Sequence, residues 1–159
     1  YAYLQKGETD SALNQWAYLK TITNVQPANF KVAYAFASVP SRFVLENKLW
    51  KEAAVLETHS SNVDWKVFPW QRAILHFTRL MGAVHIGAIE AAQSEWKKLD
   101  SLRKNLLMQK DTYKANQVAI QMKTGEAWIQ FKEGKSEEAL ILMHAAAAME
   151  DKTEKHPVT

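Results

Sequence analysis

One short pattern recurs along this chain and limits what it can fold into. The stretch 7–13 (GETDSAL) is repeated as 134–140 (GKSEEAL), and shorter versions occur around residues 53 and 92. In each copy an alanine stands early in a helix-forming stretch, and these alanines are Ala12, Ala53, Ala92 and Ala139. Their separations of 41, 39 and 47 residues are typical of repeat architectures, in which each unit packs against its neighbours. The pattern therefore predicts a stack of similar units.

The residues between these turns favour helix. With 5 glycines and 4 prolines in 159 residues, the chain has few helix breakers. From residue 89 the apolar side chains recur at the three- and four-residue spacing of one helical face. They are Ile89, Ala92, Trp96, Leu99, Leu102 and Leu106. No stretch alternates apolar and polar residues between turn signals, so strands are not expected. We predict an all-α fold.

The breaks divide the chain into four consecutive helix pairs within a single domain, 1–159. The predicted pairs span approximately 1–23, 28–58, 69–107 and 111–150. Their helices are predicted at 1–6 with 9–23, 28–46 with 48–58, 69–84 with 87–107, and 111–133 with 136–150. Pro27 is expected in the first turn of its helix, and Pro40 is expected to kink or break the helix around it. Gly134 is expected to end one helix and Ser136 to cap the next.

At these residues the chain resembles the tetratricopeptide repeat (TPR) family, in a degenerate form. The last pair matches most fully, because Ala127, Gly134, Ala139, Met143 and Ala146 fall at the spacings of the family repeat. The resemblance implies a right-handed α-α superhelix (solenoid) of about four TPR-like helix pairs, which binds proteins or peptides in its groove. The usual repeat has 34 residues, so the longer spacings here imply longer helices or connectors.

The two chain ends suggest a piece of a longer protein. The chain starts at Tyr1 rather than at a methionine, which indicates a processed or excised product. The run 153–159, with Pro157, resembles a connector into a further helix pair.

Composition excludes several function classes. The net charge of +3 is far from the concentrated basic footprint of a dedicated nucleic-acid binder, so no nucleic-acid partner is expected. Without cysteine the chain has no disulfide and no thiolate nucleophile or metal ligand. Its longest uncharged runs reach about 11 residues, whereas a membrane-spanning helix needs roughly 20, so the chain is not expected to be membrane-embedded. A soluble protein of the cytoplasm or periplasm fits these features, and the oligomeric state is left open.

Catalytic, metal and cofactor sites are not expected. The five histidines are His59, His76, His85, His144 and His156, and none has a histidine partner three or four residues away. The sequence contains no Gly-x-Ser-x-Gly elbow and no glycine-rich phosphate loop. We therefore predict a protein without enzymatic activity.

When the chain is aligned with the repeat of the TPR family, seven residues are predicted to line the peptide-binding groove. They are Ser38, Arg42, Phe77, Met81, Gln121, Thr124 and Trp128. This set lacks the Lys/Asn/Arg pattern with which some TPR domains capture a C-terminal carboxylate. Phe77, Met81 and Trp128 instead imply a partly apolar protein or peptide partner.

A second candidate is a row of cationic side chains. Arg72, His76 and Arg79 lie on one face of a helix. They hold an acidic peptide by charge-assisted hydrogen bonds, form a solvated stripe, or pair with neighbouring helices. A third is the aromatic group Trp65, Phe68 and Trp70, which either fixes the start of a helix in the core or forms an exposed anchor for a partner.

Two other functions remain open at this point. One is a small-ligand sensor or accessory regulatory domain of a larger protein, which a closed apolar cavity with converging polar groups favours. The other is an architectural spacer, which has no specific partner. An open groove favours the scaffold.

Overall fold

The computed structural model describes residues 1–153, and this part of the chain contains helices and no strand. The α-helices are α1 (Ala2–Gln5), α2 (Thr9–Lys20), α3 (Phe30–Glu46), α4 (Trp50–Ala54), α5 (Pro69–His85), α6 (Ile89–Met108), α7 (Thr112–Lys132) and α8 (Ser136–Asp151). A 3₁₀ turn spans Trp65–Val67. The predicted all-α fold is confirmed. The predicted connector at Pro157 and His156 lie outside the described residues.

Three alternate helices, α3, α5 and α7, form one layer. α5 contacts both α3 and α7, so these three helices lie side by side. α4 packs against α3 and α5, α6 packs against α5 and α7, and α8 packs against α7. The largest core cluster joins α5, α6 and α7 and includes Leu80, Leu99 and Val118, which are fully buried. We call α3, α5 and α7 the first-helix layer.

Five of the seven connections between the helices are turns of one repeated geometry. In each of five turns one residue has a positive φ, and these residues are Gly7, Lys48, Gly87, Lys110 and Gly134. The next residue donates its backbone N–H to the carbonyl five residues earlier, at 2.8–3.0 Å, which is the Schellman arrangement that satisfies the last carbonyls of a helix. Four of these turns stand five residues before the repeated alanines, all of which are buried. The sequence repeat is therefore also a repeat of backbone geometry.

Lys48→Gly is expected to raise the free energy of unfolding by about 1 kcal/mol. Lys48 has a φ of 55°, a left-handed conformation that costs an L-residue roughly 1–2 kcal/mol and that glycine adopts freely. Its exposed side chain forms no hydrogen bond or ion pair with residues 1–153. Urea denaturation measures the change. Lys51→Gly, in the body of α4, is the control and is expected to destabilise; equal losses from both variants contradict the turn argument.

The predicted break at Pro40 is wrong, and so is the predicted length of the helix that follows; a kink at Pro40 stays a prediction. α3 continues through Pro40 without a break. Pro40 is buried, and its burial offsets the hydrogen bond that proline cannot make. The helix predicted over 48–58 ends at Ala54, because the chain then turns away to form the 55–64 loop.

The 55–64 loop is fixed by contacts with a connector distant in sequence. The side chain of Asn62 accepts from the N–H of Val25 and donates to its carbonyl, both at 3.0 Å. The Nε2 atom of His59 lies 2.7 Å from the carbonyl oxygen of Ile22. These bonds satisfy backbone groups of Ile22 and Val25 in the connector between α2 and α3, which lie outside any helix.

Two helix starts also differ from prediction. Pro27 precedes α3 rather than opening it, and the N-cap is Asn29, whose side chain accepts from the N–H groups two and three residues on. The N-cap of α8 is Lys135 rather than Ser136. The Schellman turn at Gly134 leads directly into that helix, so Ser136 is already its first residue.

Candidate binding surfaces

Three aromatic side chains form a stack between α3 and α5. Phe30 and Tyr34, one turn apart on α3, both stack on Trp70 of α5, with ring centroids 5.7 and 5.5 Å away. Phe30 is exposed, and Tyr34 and Trp70 are half-buried. We call these three residues the aromatic stack. It offers an apolar surface at the edge of the first-helix layer.

Two cations flank the aromatic stack. The Nζ atom of Lys114 lies 5.5 Å from the Phe30 ring centre, and Arg42 Nη2 donates to the Tyr34 hydroxyl at 3.4 Å. Lys114 is neutralised by an ion pair with Asp111. Within residues 1–153 no carboxylate pairs with Arg42. The guanidinium of Arg42 lies 4.5 Å from the centre of the Tyr1 ring. Of the two cations beside the aromatic stack, Arg42 is the one that has no carboxylate partner among the described residues and is left to attract an anionic ligand group.

Sequence reasoning identified Arg42 but missed Phe30 and Tyr34 as surface residues. The signal was present in the chain, because Phe30, Tyr34, Ser38 and Arg42 follow one another at intervals of four residues. Such a spacing forms one slowly turning stripe on a helix.

Five of the predicted groove residues contribute to packing within or near the first-helix layer. Ser38 and Met81 are buried, with 8% and 9% of their surface exposed. Phe77 packs against the largest core cluster, and Thr124 is half-buried. The Oε1 atom of Gln121 is buried and accepts no hydrogen bond from residues 1–153.

The other two predicted groove residues lie in separate depressions. Arg42, together with Ser38, lines a cavity of about 330 Å³ against α1 and α2. Trp128 lines a groove of about 300 Å³ between α7 and α8. We call the latter the α7/α8 groove; Ala127, Phe131, Leu140 and Met143 are among the side chains that line it.

The cationic row on α5 is largely engaged inside the protein. The Nδ1 atom of His76 lies 2.6 Å from Glu95 Oε2, and Arg79 Nε donates to the carbonyl of Leu56 at 2.6 Å. Both side chains therefore hold neighbouring elements in place. This agrees with the alternative that the row pairs with neighbouring parts of the protein rather than with a peptide. Only Arg72 makes no such contact with the described residues.

The aromatic group before α5 is likewise packed. Trp65 and Phe68 rest against buried clusters near α3, and the Nε1 of Trp65 donates to the carbonyl of His59 at 3.3 Å. Trp70 belongs to the aromatic stack. Of the three, Trp70 alone takes part in a surface that we consider for binding.

The half-buried carboxylate of Glu95 pairs with two basic side chains. It contacts both His76 and Lys98, each at 2.6 Å. Burial raises the pKa of Glu95, but the hydrogen bonds and charges of His76 and Lys98 outweigh burial and bring this pKa below its ordinary value of 4.5. The carboxylate therefore stays ionised and joins α5 to α6.

Glu95→Gln is expected to lower the free energy of unfolding by about 2 kcal/mol at neutral pH. Because the folded-state pKa of Glu95 lies below 4.5, its stabilisation is complete above that pH and is lost as the pH falls through the folded-state value. Urea denaturation between neutral and acidic pH is therefore expected to show a smaller acid loss in Glu95→Gln than in the unmodified protein. Glu90→Gln, an exposed change on the same helix, is the control; an unchanged pH profile in both variants contradicts the assignment.

A further cavity of about 510 Å³ lies between α2, α3 and the 55–64 loop. Trp16 and Phe36 contribute apolar lining, and Lys20 and Glu57 contribute charged groups. The Nζ atom of Lys20 lies 4.1 Å from the Trp16 ring centre. The volume is within the usual range of small-ligand sites.

Within residues 1–153 no group of three or more histidine or acidic side chains is arranged to hold a metal ion. None of the described helices combines the length and apolar character needed to cross a membrane. Comparisons of the chain with protein-family models, with curated proteins and with solved structures found no match.

Proposed function

We propose that this chain is a non-catalytic scaffold domain, a right-handed TPR-like superhelix that binds a protein or peptide partner along its first-helix layer. The repeated turn geometry is the observation that carries this proposal. A left-handed residue stands five positions before each of the four repeated alanines, as expected when each helix pair is built alike. The contacts of α5 with α3 and α7 support a stack in which first helices adjoin first helices.

The chemistry of the exposed surface supports one kind of peptide. The aromatic stack accepts an apolar or aromatic side chain, since aromatic residues supply much of the energy at interfaces. Arg42 accepts a carboxylate, because no described residue neutralises it. The partner is thus an extended segment that carries an apolar residue next to an acidic one.

Arg42→Glu is expected to weaken partner capture at least tenfold, because the reversed charge repels the carboxylate of the partner. The measurement is a cross-linked pull-down from the source cell's extract, followed by titration of the captured segment as a peptide. Lys31→Glu, an exposed charge reversal on the same helix, is the matched control and is expected to retain capture. Equal capture by both variants, with unchanged helix content, contradicts the proposed surface.

The cavity beside the 55–64 loop supports a second candidate function, the small-ligand sensor. Its apolar lining suits a small aromatic ligand. A carboxylate on that ligand pairs with Lys20 above Trp16 if it is kept away from Glu52 and Glu57, which also line the cavity. Titration of the labelled protein with benzoate and indole-3-acetate tests this candidate by nuclear magnetic resonance. If the domain is a sensor, we expect saturable chemical-shift changes at the indole N–H of Trp16 and none at that of Trp96. If it is a scaffold, we expect no change at either.

A further inference from the structure

The α7/α8 groove exposes large apolar side chains. Phe131 and Leu140 are 51% and 59% exposed, and with Met143 and Trp128 they surround the small Ala127. Almost no polar surface lines the groove, and no described residue covers it. An open apolar groove of this kind marks a binding surface when its occupant can be identified.

The repeat shows what covers the corresponding groove earlier in the chain. The Gly87 turn and the Gly134 turn have the same geometry, and each leads to a buried alanine five residues later, Ala92 and Ala139. Aligning these turns shifts the chain by 47 residues. The α7/α8 groove then corresponds to the groove between α5 and α6.

Helix α7 is seated in that earlier groove. Trp96 Nε1 donates to the carbonyl of Met122 on α7 at 3.1 Å, and Gln93 Nε2 donates at 3.4 Å to the carboxylate just beyond the end of α7. Leu80 lies against Gly125 of α7, so closely that a Cβ at Gly125 would stand 2.7 Å from Leu80 Cδ1. Leu80, Gln93 and Trp96 correspond to Ala127, Leu140 and Met143 of the α7/α8 groove.

These three differences define the occupant. Leu140 and Met143 replace two hydrogen-bond donors with apolar side chains, so the groove binds by apolar contact. Ala127 replaces Leu80, so there is more space where Gly125 of α7 makes its close approach. We infer that the α7/α8 groove binds an amphipathic α-helix of a partner protein, seated as α7 is, with a bulky apolar residue over Ala127. This inference uses the observed repeat of the turns and does not depend on the peptide surface at Arg42.

A peptide made from the chain itself tests the inference. The probe is a fluorescein-labelled copy of Thr112–Lys132 in which Gly125 is changed to Leu, titrated with the full chain and followed by anisotropy. We expect it to bind roughly tenfold tighter than the Gly125→Ala peptide, because the larger side chain buries about three more carbon groups. Alanine is the better helix former, so tighter binding of the leucine peptide is not an effect of helix propensity.

Two variants of the protein locate the binding. Leu140→Glu places a charge in the groove and is expected to weaken peptide binding more than tenfold. Ile141→Glu is the matched control, because Ile141 is 68% exposed and lies outside the groove lining. Both positions are exposed, so circular dichroism is expected to show unchanged helix content. Arg42→Glu is expected to leave peptide binding unchanged, which separates this test from that of the proposed function.

Three results overturn the inference. One is equal binding by the Leu140→Glu and Ile141→Glu proteins. Another is the Gly125→Ala peptide binding as tightly as the Gly125→Leu peptide. The third is a dimer of the unmodified chain in sedimentation that Leu140→Glu dissociates and Ile141→Glu does not, since the occupant is then a second copy of the chain.

Discussion

Gly82→Ala is expected to lower the free energy of unfolding by about 3 kcal/mol. α5 approaches α4 most closely at Gly82, where an added Cβ would stand 2.2 Å from the backbone nitrogen of Ala54 and 2.7 Å from the carbonyl carbon of Ala53. Backbone atoms cannot rotate away as a side chain can, so the two helices must separate. Chemical denaturation measures the loss.

Gly87→Ala is the control for this steric argument. Nothing lies within 4 Å of a Cβ at Gly87, whose φ of +80° nevertheless disfavours alanine. That variant is expected to lose only about 1 kcal/mol from backbone strain. If Gly82→Ala costs no more than Gly87→Ala, the close contact of α4 with α5 is not a determinant of stability.

Leu80→Ala is expected to cost about 3 kcal/mol, because the fully buried Leu80 leaves a cavity between α5 and α7. Gly125→Ala is expected to recover about 1 kcal/mol of this loss in the Leu80→Ala background. Alanine is the better helix residue, and the leucine atoms 2.7 and 2.8 Å from its Cβ are then gone. When Leu80 is present, the close contact of its side chain with the new Cβ offsets the gain in helix propensity from Gly125→Ala. The effects of Leu80→Ala and Gly125→Ala on the free energy of unfolding are therefore coupled. Denaturation of the four proteins of this cycle measures the coupling.

Leu75→Ala provides the matched comparison for the cycle. Leu75 is also buried on α5, but it belongs to a different core cluster, with Ala37 and Phe43. Its effect and that of Gly125→Ala are expected to add. Additive effects in both cycles contradict the direct contact of Leu80 with Gly125 and weaken the description of α5 and α7 as neighbours in one layer.

The helices were predictable because their signals are local. The predicted starts of all eight helices lie within two residues of the observed starts. Turn glycines precede three of these helices, and Lys48 occupies the equivalent turn position without being a glycine. The 55–64 loop was not predictable in this way. It depends on hydrogen bonds of Asn62 with Val25, between residues whose pairing no local propensity encodes.

The candidate surface was predictable only in part, for a related reason. Arg42 followed from counting along the family repeat, but counting does not show which side of a helix meets its neighbour. That depends on how α3 and α5 cross, which brings Trp70 against both Phe30 and Tyr34. The same limit explains why Met81, which was predicted to line a groove, lies buried, while the buried Ser38 still lines the cavity beside Arg42.

The buried residues are unevenly distributed along the stack, and this gives the chain a gradient of local stability. α2 buries only Ala12, whereas α5, α6 and α7 share the largest core cluster. Amide hydrogens of α1 and α2 are therefore expected to exchange through local opening, and those of α5 to α7 only through opening of most of the molecule. Arg42 lies beside the less stable end, in the cavity against α1 and α2. A partner bound there would slow exchange in two helices that contribute little to the core.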